Sequence, residues 1–233
     1  MSNCLQQTID IEALASGIPL LRGLARENIA RLGRSTRILR VRKGDIVFHK
    51  GDTCTGLHAI VDGQVKMAFI SRRGGERIAE ILGHGQCFDE VGMLLDRPYV
   101  VAAQALTDVL ILHIAKDAFL EVLDNDQKLC RQMLECMANH EDHLMAGVES
   151  CLHNSGRQRI IGYLVNELPE ASQNGTNVAI TLPSSKGAIA SLLNLTHEHF
   201  SRILRDLTVG GLIVIDGRDV RIPCVDDLRN FSG

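Results

Sequence analysis

Pro183-Ser184-Ser185-Lys186-Gly187-Ala188-Ile189-Ala190-Ser191-Leu192-Leu193-Asn194-Leu195-Thr196-His197-Glu198-His199-Phe200-Ser201-Arg202-Ile203-Leu204-Arg205-Asp206-Leu207-Thr208-Val209-Gly210-Gly211 decides the fold. The serines offer an N-cap to a short apolar helix, and Asn194-Leu195 makes a tight turn. Thr196 caps a second helix, along which Phe200, Ile203, Leu204 and Leu207 recur at helical spacing until Gly210-Gly211 stops it. Downstream, Leu212-Ile213-Val214-Ile215, Asp216-Gly217 and Val220-Arg221-Ile222 read as a hairpin with a two-residue turn. Upstream lie a strand, Val178-Ala179-Ile180-Thr181-Leu182, and the turn Asn174-Gly175. Before them runs a helix with Ile160, Ile161, Leu164 and Leu168 on one side, ended by Pro169. Helix, turn, helix and hairpin together predict a winged helix-turn-helix over residues 154–233, whose second helix enters a DNA major groove.

Base-reading side chains lie near the start of such a helix and repeat on one face, which singles out His197, Glu198, Ser201 and Arg202. Arg202 can meet guanine O6 and N7, Glu198 can accept from cytosine N4, and Ser201 suits either kind of base. Glu198 and Arg202 also stand four apart, where they could form a salt bridge on a solvated face. Lys186, His199, Arg205 and Arg218 are read as phosphate contacts.

Further outward, residues 116–153 carry Cys130, Leu134, Met137, Leu144, Val148 and Cys151 at steps of three and four, interrupted by Glu141. This heptad-like stripe predicts one long helix that buries its face on a second copy of the chain. Residues 1–115 are different in texture. Nine of the 21 glycines fall between Gly44 and Gly92, and the next is Gly147. Short apolar runs (Ile38–Val41, Ile46–Phe48, Leu57–Val61, Gln64–Ile70, and Tyr99 to Ile114) alternate with Gly-Asp and Asp-Gly punctuation. They read as successive hairpins of an antiparallel barrel or roll. The fold class is α+β: a β-roll, a dimerisation helix and a winged helix.

The order of these parts resembles the CRP/FNR superfamily of bacterial transcription regulators over about Ile18 to Ile222. The specific marks are Gly44, Gly51-Asp52 and Gly63, then Phe88-Asp89-Glu90-Val91-Gly92, and Glu198-His199-Phe200-Ser201-Arg202-Ile203-Leu204. The resemblance implies a cytoplasmic homodimer bound to double-stranded DNA and acting with RNA polymerase. The Glu-x-x-Ser-Arg pattern matches the FNR-type recognition helix and implies the inverted repeat TTGAT…ATCAA.

The resemblance also implies where a signal would be received. The cyclic-AMP branch holds ribose with a Glu after Phe-Gly and the cyclic phosphate with an Arg-Ser pair. Here Glu90 survives, Asp89 replaces the glycine, and Tyr99-Val100 stands where Arg-Ser would be. An anion needs cations or donors, so cyclic nucleotide is disfavoured. Cys4 stands without N-terminal partners, so no iron–sulfur cluster is expected. The carbon-monoxide-sensing branch uses a Cys and a His just after the roll glycine, and Asp89 and Val91 hold those positions here. What remains resembles the denitrification and nitric-oxide regulators, for which haem is a candidate cofactor. Its axial ligand would come from His84, Cys87, His113 or His140. Glu90, Tyr99 and these four residues form the candidate sensor pocket.

Composition sets further bounds. Hydrophobic residues make up 45% and charged residues 23%, the texture of a folded globular chain. The net charge is −3, made of +2 over residues 1–115, −5 over 116–153 and zero over 154–233. The acidic surplus therefore sits on the expected dimer helix. No apolar run reaches the ~20 residues that span a bilayer, and the first residues lack a signal-peptide pattern. Seven cysteines without any Cys-x-x-Cys pair read as scattered reduced thiols. Thr196-His197-Glu198-His199 lacks the His-Glu-x-x-His spacing that puts two imidazoles on one helix face, so an enzyme is not expected. The alternatives are a cyclic-nucleotide-responsive regulator, or a ligand-binding module without DNA activity.

Overall fold

The computed structural model describes residues 11–71, 75–169, 172 and 175–231, in two compact units, Met1–Glu141 and Asp142–Gly233. Cys4 and position 174 of the Asn174-Gly175 turn lie outside the described residues.

The first unit opens with α1 (Ile11–Ser16), a single 3₁₀ turn (Pro19–Leu21) and α2 (Arg26–Arg34). Eight strands follow: β1 (Thr36–Val41), β2 (Ile46–Phe48), β3 (Gly56–Asp62), β4 (Val65–Ile70), β5 (Glu76–Leu82), β6 (Cys87–Phe88), β7 (Ala102–Ala105) and β8 (Val109–Ala115). Helix α3 (Glu90–Leu94) stands between β6 and β7. All pair antiparallel, in two four-stranded sheets of order β1-β8-β3-β6 and β2-β7-β4-β5.

The pairing corrects one expectation. The runs do not form successive hairpins. They nest: β1 with β8, β2 with β7, β3 with β6, and only β4 with β5 across a local turn. Asp62-Gly63 carries the chain from one sheet to the other. Gly63 has φ +85, and a Cβ there would collide with the Asp108 carbonyl, so the crossing requires glycine. Leu57, Ala59, Ile60, Val65, Phe88, Ile111 and Ile114 belong to the buried apolar core of this unit.

The stretch 116–153 is two helices rather than one: α4 (Lys116–Asn125) and α5 (Gln127–His153). Asp126 between them has φ −121 and ψ 100, outside the helical region. Its Oδ1 accepts from the backbone N–H groups of Lys128 (2.9 Å) and Leu129 (3.0 Å), and its Oδ2 accepts from Asn28 Nδ2 (2.7 Å). It is thus the N-cap that starts α5 in a new direction. Leu129 and Met133 are buried against the roll, whereas Leu134, Leu144, Met145, Val148 and Leu152 are exposed.

The second unit contains α6 (Gly156–Asn166), β9 (Thr176–Thr181), α7 (Lys186–Leu192), α8 (His197–Val209), β10 (Val214–Asp216), β11 (Asp219–Cys224) and α9 (Val225–Arg229). The strands form one sheet of order β10-β11-β9. Ile160, Leu164, Ile189, Phe200, Leu204, Leu207, Ile213, Val220 and Ile222 make its core. Ser155 and Gln158 form a reciprocal capping box at the start of α6.

Candidate nucleic-acid interface and sensor core

The interface is built by local chemistry. Ser185 Oγ accepts from the Ala188 N–H (3.2 Å) and starts α7. Asn194 adopts φ +56, a conformation open to Asn at modest cost, and reverses the chain. Thr196 Oγ1 accepts from the His199 N–H (3.2 Å) and starts α8. Phe200, Ile203, Leu204 and Leu207 are buried, which fixes the rotation of α8. His197, Glu198, Arg202 and Arg205 are consequently exposed, with Ser201 and His199 half-buried beside them. Among the described residues no ion pair joins Glu198 to Arg202, so both heads are available to other partners.

Two arginines have positions the sequence did not disclose. Arg159, on α6, donates from Nη1 to the Leu193 carbonyl at 2.7 Å and so holds the C-terminal end of α7. Arg218, expected at a phosphate, instead donates from Nε and Nη2 to the Leu182 carbonyl (2.9 and 2.6 Å) and from Nη2 to that of Pro183 (2.6 Å). Its guanidinium clasps the wing turn to the segment before α7. Lys186, at the first position of α7, is half-buried.

The roll interior is a second site. Asp89 has φ +79, and its Oδ2 lies 2.6 Å from His58 Nδ1. The His58 ring stacks on Phe88 (5.0 Å between centroids), and Phe48 stacks on Tyr99 (3.7 Å). Burial pushes His58 down to about 4 and Asp89 up to about 9; the neighbouring Glu90 adds to the second effect. Between those limits the pair holds one shared proton and no net charge. His113, 4.8 Å from His58 between ring centroids, is likewise pushed down to about 4, chiefly by burial. Its Nε2 contacts Thr55 Oγ1 at 3.0 Å.

From sequence, His140 is a candidate axial ligand of the sensor pocket. Instead its ring bridges two buried carboxylates, Nε2 to Glu80 Oε2 and Nδ1 to Glu90 Oε1, each at 2.7 Å. These contacts raise its pKa to about 10. Sequence reasoning missed His58 and Glu80 altogether; a His inside the apolar run Leu57–Val61 was the available signal for the first.

The candidate haem ligands do not fit that group. Both nitrogens of His140 are occupied, and His113 Nε2 is held by Thr55. The Cys87 thiol is buried and held well above its ordinary value, away from the thiolate that would ligate iron. His84 lies exposed on the turn between β5 and β6, with Nδ1 on the Val61 carbonyl at 2.5 Å, and not in an apolar pocket. Among the described residues no group of three or more His, Cys, Asp or Glu side chains is arranged to hold a metal ion. A cyclic phosphate fares no better, because Asp89, Glu90 and the stacked Tyr99 offer it acid and aromatic surface rather than a cation.

Comparison with known proteins agrees with this architecture. A cyclic nucleotide-binding domain model matches residues 38–126, and a Crp-like helix-turn-helix domain model matches residues 158–231. The chain is 26% identical to the probable transcriptional regulator flp of Lacticaseibacillus casei, over 92% of this chain and 96% of that protein. FixK2 of Bradyrhizobium japonicum shares the fold with a TM-score of 0.73 at 19% identity, covering 85% of this chain and 98% of that one. DNR of Pseudomonas aeruginosa is 26% identical over 95% of this chain and 97% of its own, with a TM-score of 0.50. With a cyclic-nucleotide-binding-type roll, a long helix and a Crp-like helix-turn-helix in this order, the chain belongs to the CRP/FNR family of transcription regulators, which are DNA-binding proteins and not enzymes.

Proposed function

We propose that the chain works as a homodimer that binds an FNR-like inverted repeat, TTGAT…ATCAA, under control of a signal received by the β-roll. The observation that carries this reading is the division of α8. Its apolar residues are buried in the winged helix, while Glu198 and Arg202 stand exposed, without an ion pair among the described residues, with Ser201 between them. Arg202 reads the guanine of each half-site and Glu198 the opposing cytosine, with His197 and Ser201 flanking them. Lys186, His199 and Arg205 supply phosphate contacts, and Arg218 contributes by holding the wing turn. The exposed apolar residues of α5 supply the dimer face. DNA as ligand and RNA polymerase as co-actor place its work in the cytoplasm. No helix among the described residues is long and apolar enough to cross a membrane.

The partnered ring nitrogens of His113 and His140 and the acidic roll interior weigh against haem and against a cyclic nucleotide as the signal. A gel-shift titration tests the function. The full chain should prefer a TTGAT…ATCAA duplex over a scrambled one by at least about a thousandfold at physiological salt. Equal affinity for both duplexes would remove the operator assignment.

A further inference from the structure

His140 lies on α5, Glu80 on β5 and Glu90 at the start of α3, so one side chain joins three elements. The glutamate side chains are 11% and 5% exposed, and that of His140 is 27% exposed. An imidazole can donate from both nitrogens only as imidazolium, so two carboxylates and one cation make up the cluster. The other titratable groups facing it add no charge. The Cys87 thiol on β6 and the Cys136 thiol, one turn before His140 on α5, are both pushed up by burial and by the nearby carboxylates. Asp89 shares its proton with His58. Among the described residues Glu90 Oε2 is buried without a hydrogen-bond partner, and none of them offers a spare donor to replace His140 if it leaves.

We propose that His140 is the positioning residue that couples α5 to the signal-receiving roll. Its imidazolium ties the helix to α3 and β5, so that displacement of either element moves α5. This rests on the reading of the roll as signal receiver. His140 has no contact with DNA in this scheme; it acts through the placement of α5.

The test uses the full-length chain and the variants His140→Gln and Glu80→Gln, the second keeping a neutral acceptor for the ring should the first fold poorly. Hydrogen exchange over residues 127–141 reads the tie without reference to DNA, and both variants should exchange faster there than the parent. The pH profile of thermal unfolding is the second readout. The folded value near 10 exceeds the ordinary 6.5, so the contribution of His140 is complete below about 6.5 and lost as pH rises through about 10. His140→Gln should flatten that fall. The third readout is operator affinity, which should shift in the same direction in both variants by roughly two- to thirtyfold. The double variant should shift no further than the larger single.

Unchanged hydrogen exchange, or an unchanged pH profile, overturns the tie. Faster exchange with unchanged operator affinity overturns the coupling and leaves a brace of purely structural effect. If the parent itself shows no preference for the repeat, the operator assignment fails instead, and exchange and pH profile still decide the tie.

Discussion

Asp89 shows what a single residue can settle. At φ +79 it occupies backbone space that costs an L-residue roughly 1–2 kcal/mol, and short polar side chains offset that by bonding locally. Here the carboxyl meets His58 at 2.6 Å in the roll interior. Asp89→Ala should lower stability by roughly 1–3 kcal/mol, because a buried imidazole nitrogen loses its partner while the strain stays. Asp89→Asn, which tolerates the same φ and can donate to His58, should cost less. The pH dependence separates them from the parent. From about pH 6.5 to 9 the folded pair holds a proton that the unfolded chain has released, so the parent loses stability as pH rises through that window. Urea midpoints at pH 6.5 and 9 should lie closer together in Asp89→Asn. On α8, Arg202→Ala should weaken operator binding by roughly 1–3 kcal/mol and relax selectivity at the guanine. Titration of duplexes altered only at that base pair measures this, and a uniform loss across all sequences would make Arg202 a phosphate contact instead.

At the scale of elements, what could be read from sequence was what is encoded locally. Helix α8 announces itself by Thr196, by the spacing of Phe200, Ile203, Leu204 and Leu207, and by Gly211, which terminates it at φ +70. Thr196→Ala should therefore cost about 1 kcal/mol, seen as a lower unfolding temperature with base selectivity intact. The corner at Asp126 stayed hidden because the apolar spacing passes straight through it. Val122 and Leu129 are seven residues apart, two helical turns, and Asp126 is polar where either reading permits a polar residue. Strand β5 was likewise missed although its seven residues alternate in burial, and so were the helices α1, α3 and α9, which are brief. The sensor core was the least legible part. His140 lies 50 and 60 residues from its two carboxylate partners, and no local pattern encodes a contact of that reach. The nested strands misled for the same reason: alternation identifies a strand but says nothing of its partner.

At the scale of the whole molecule, charge and apolar surface are distributed by task. The segment 116–153 holds the −5 surplus, and the stretches 1–115 and 154–233 on either side of it are near neutral. Exposed Leu144, Met145, Val148 and Leu152 form an apolar row on α5 that a second copy would cover. Val148→Glu should shift the chain from dimer to monomer in sedimentation velocity, and operator binding should fall with it, because each half-site alone offers half the contacts. If Val148→Glu remained dimeric, the dimer face would have to lie elsewhere. The winged-helix unit has no net positive charge, so non-specific DNA affinity should be modest and its salt dependence shallow.

The nested strand pairing also sets a timetable. Strand β1 is complete at Val41, yet the ladder that satisfies its backbone belongs to residues 109–114. On a ribosome, Thr36–Val41 must wait as an unpaired edge until some seventy further residues have been made, whereas β4 and β5 can zip as soon as they emerge. Pairings so distant in sequence close slowly, in milliseconds to seconds for sheet-rich domains. The roll therefore assembles from its innermost hairpin outward, its first strand is the last to be secured, and nascent chains arrested before residue 109 should be the most prone to aggregate.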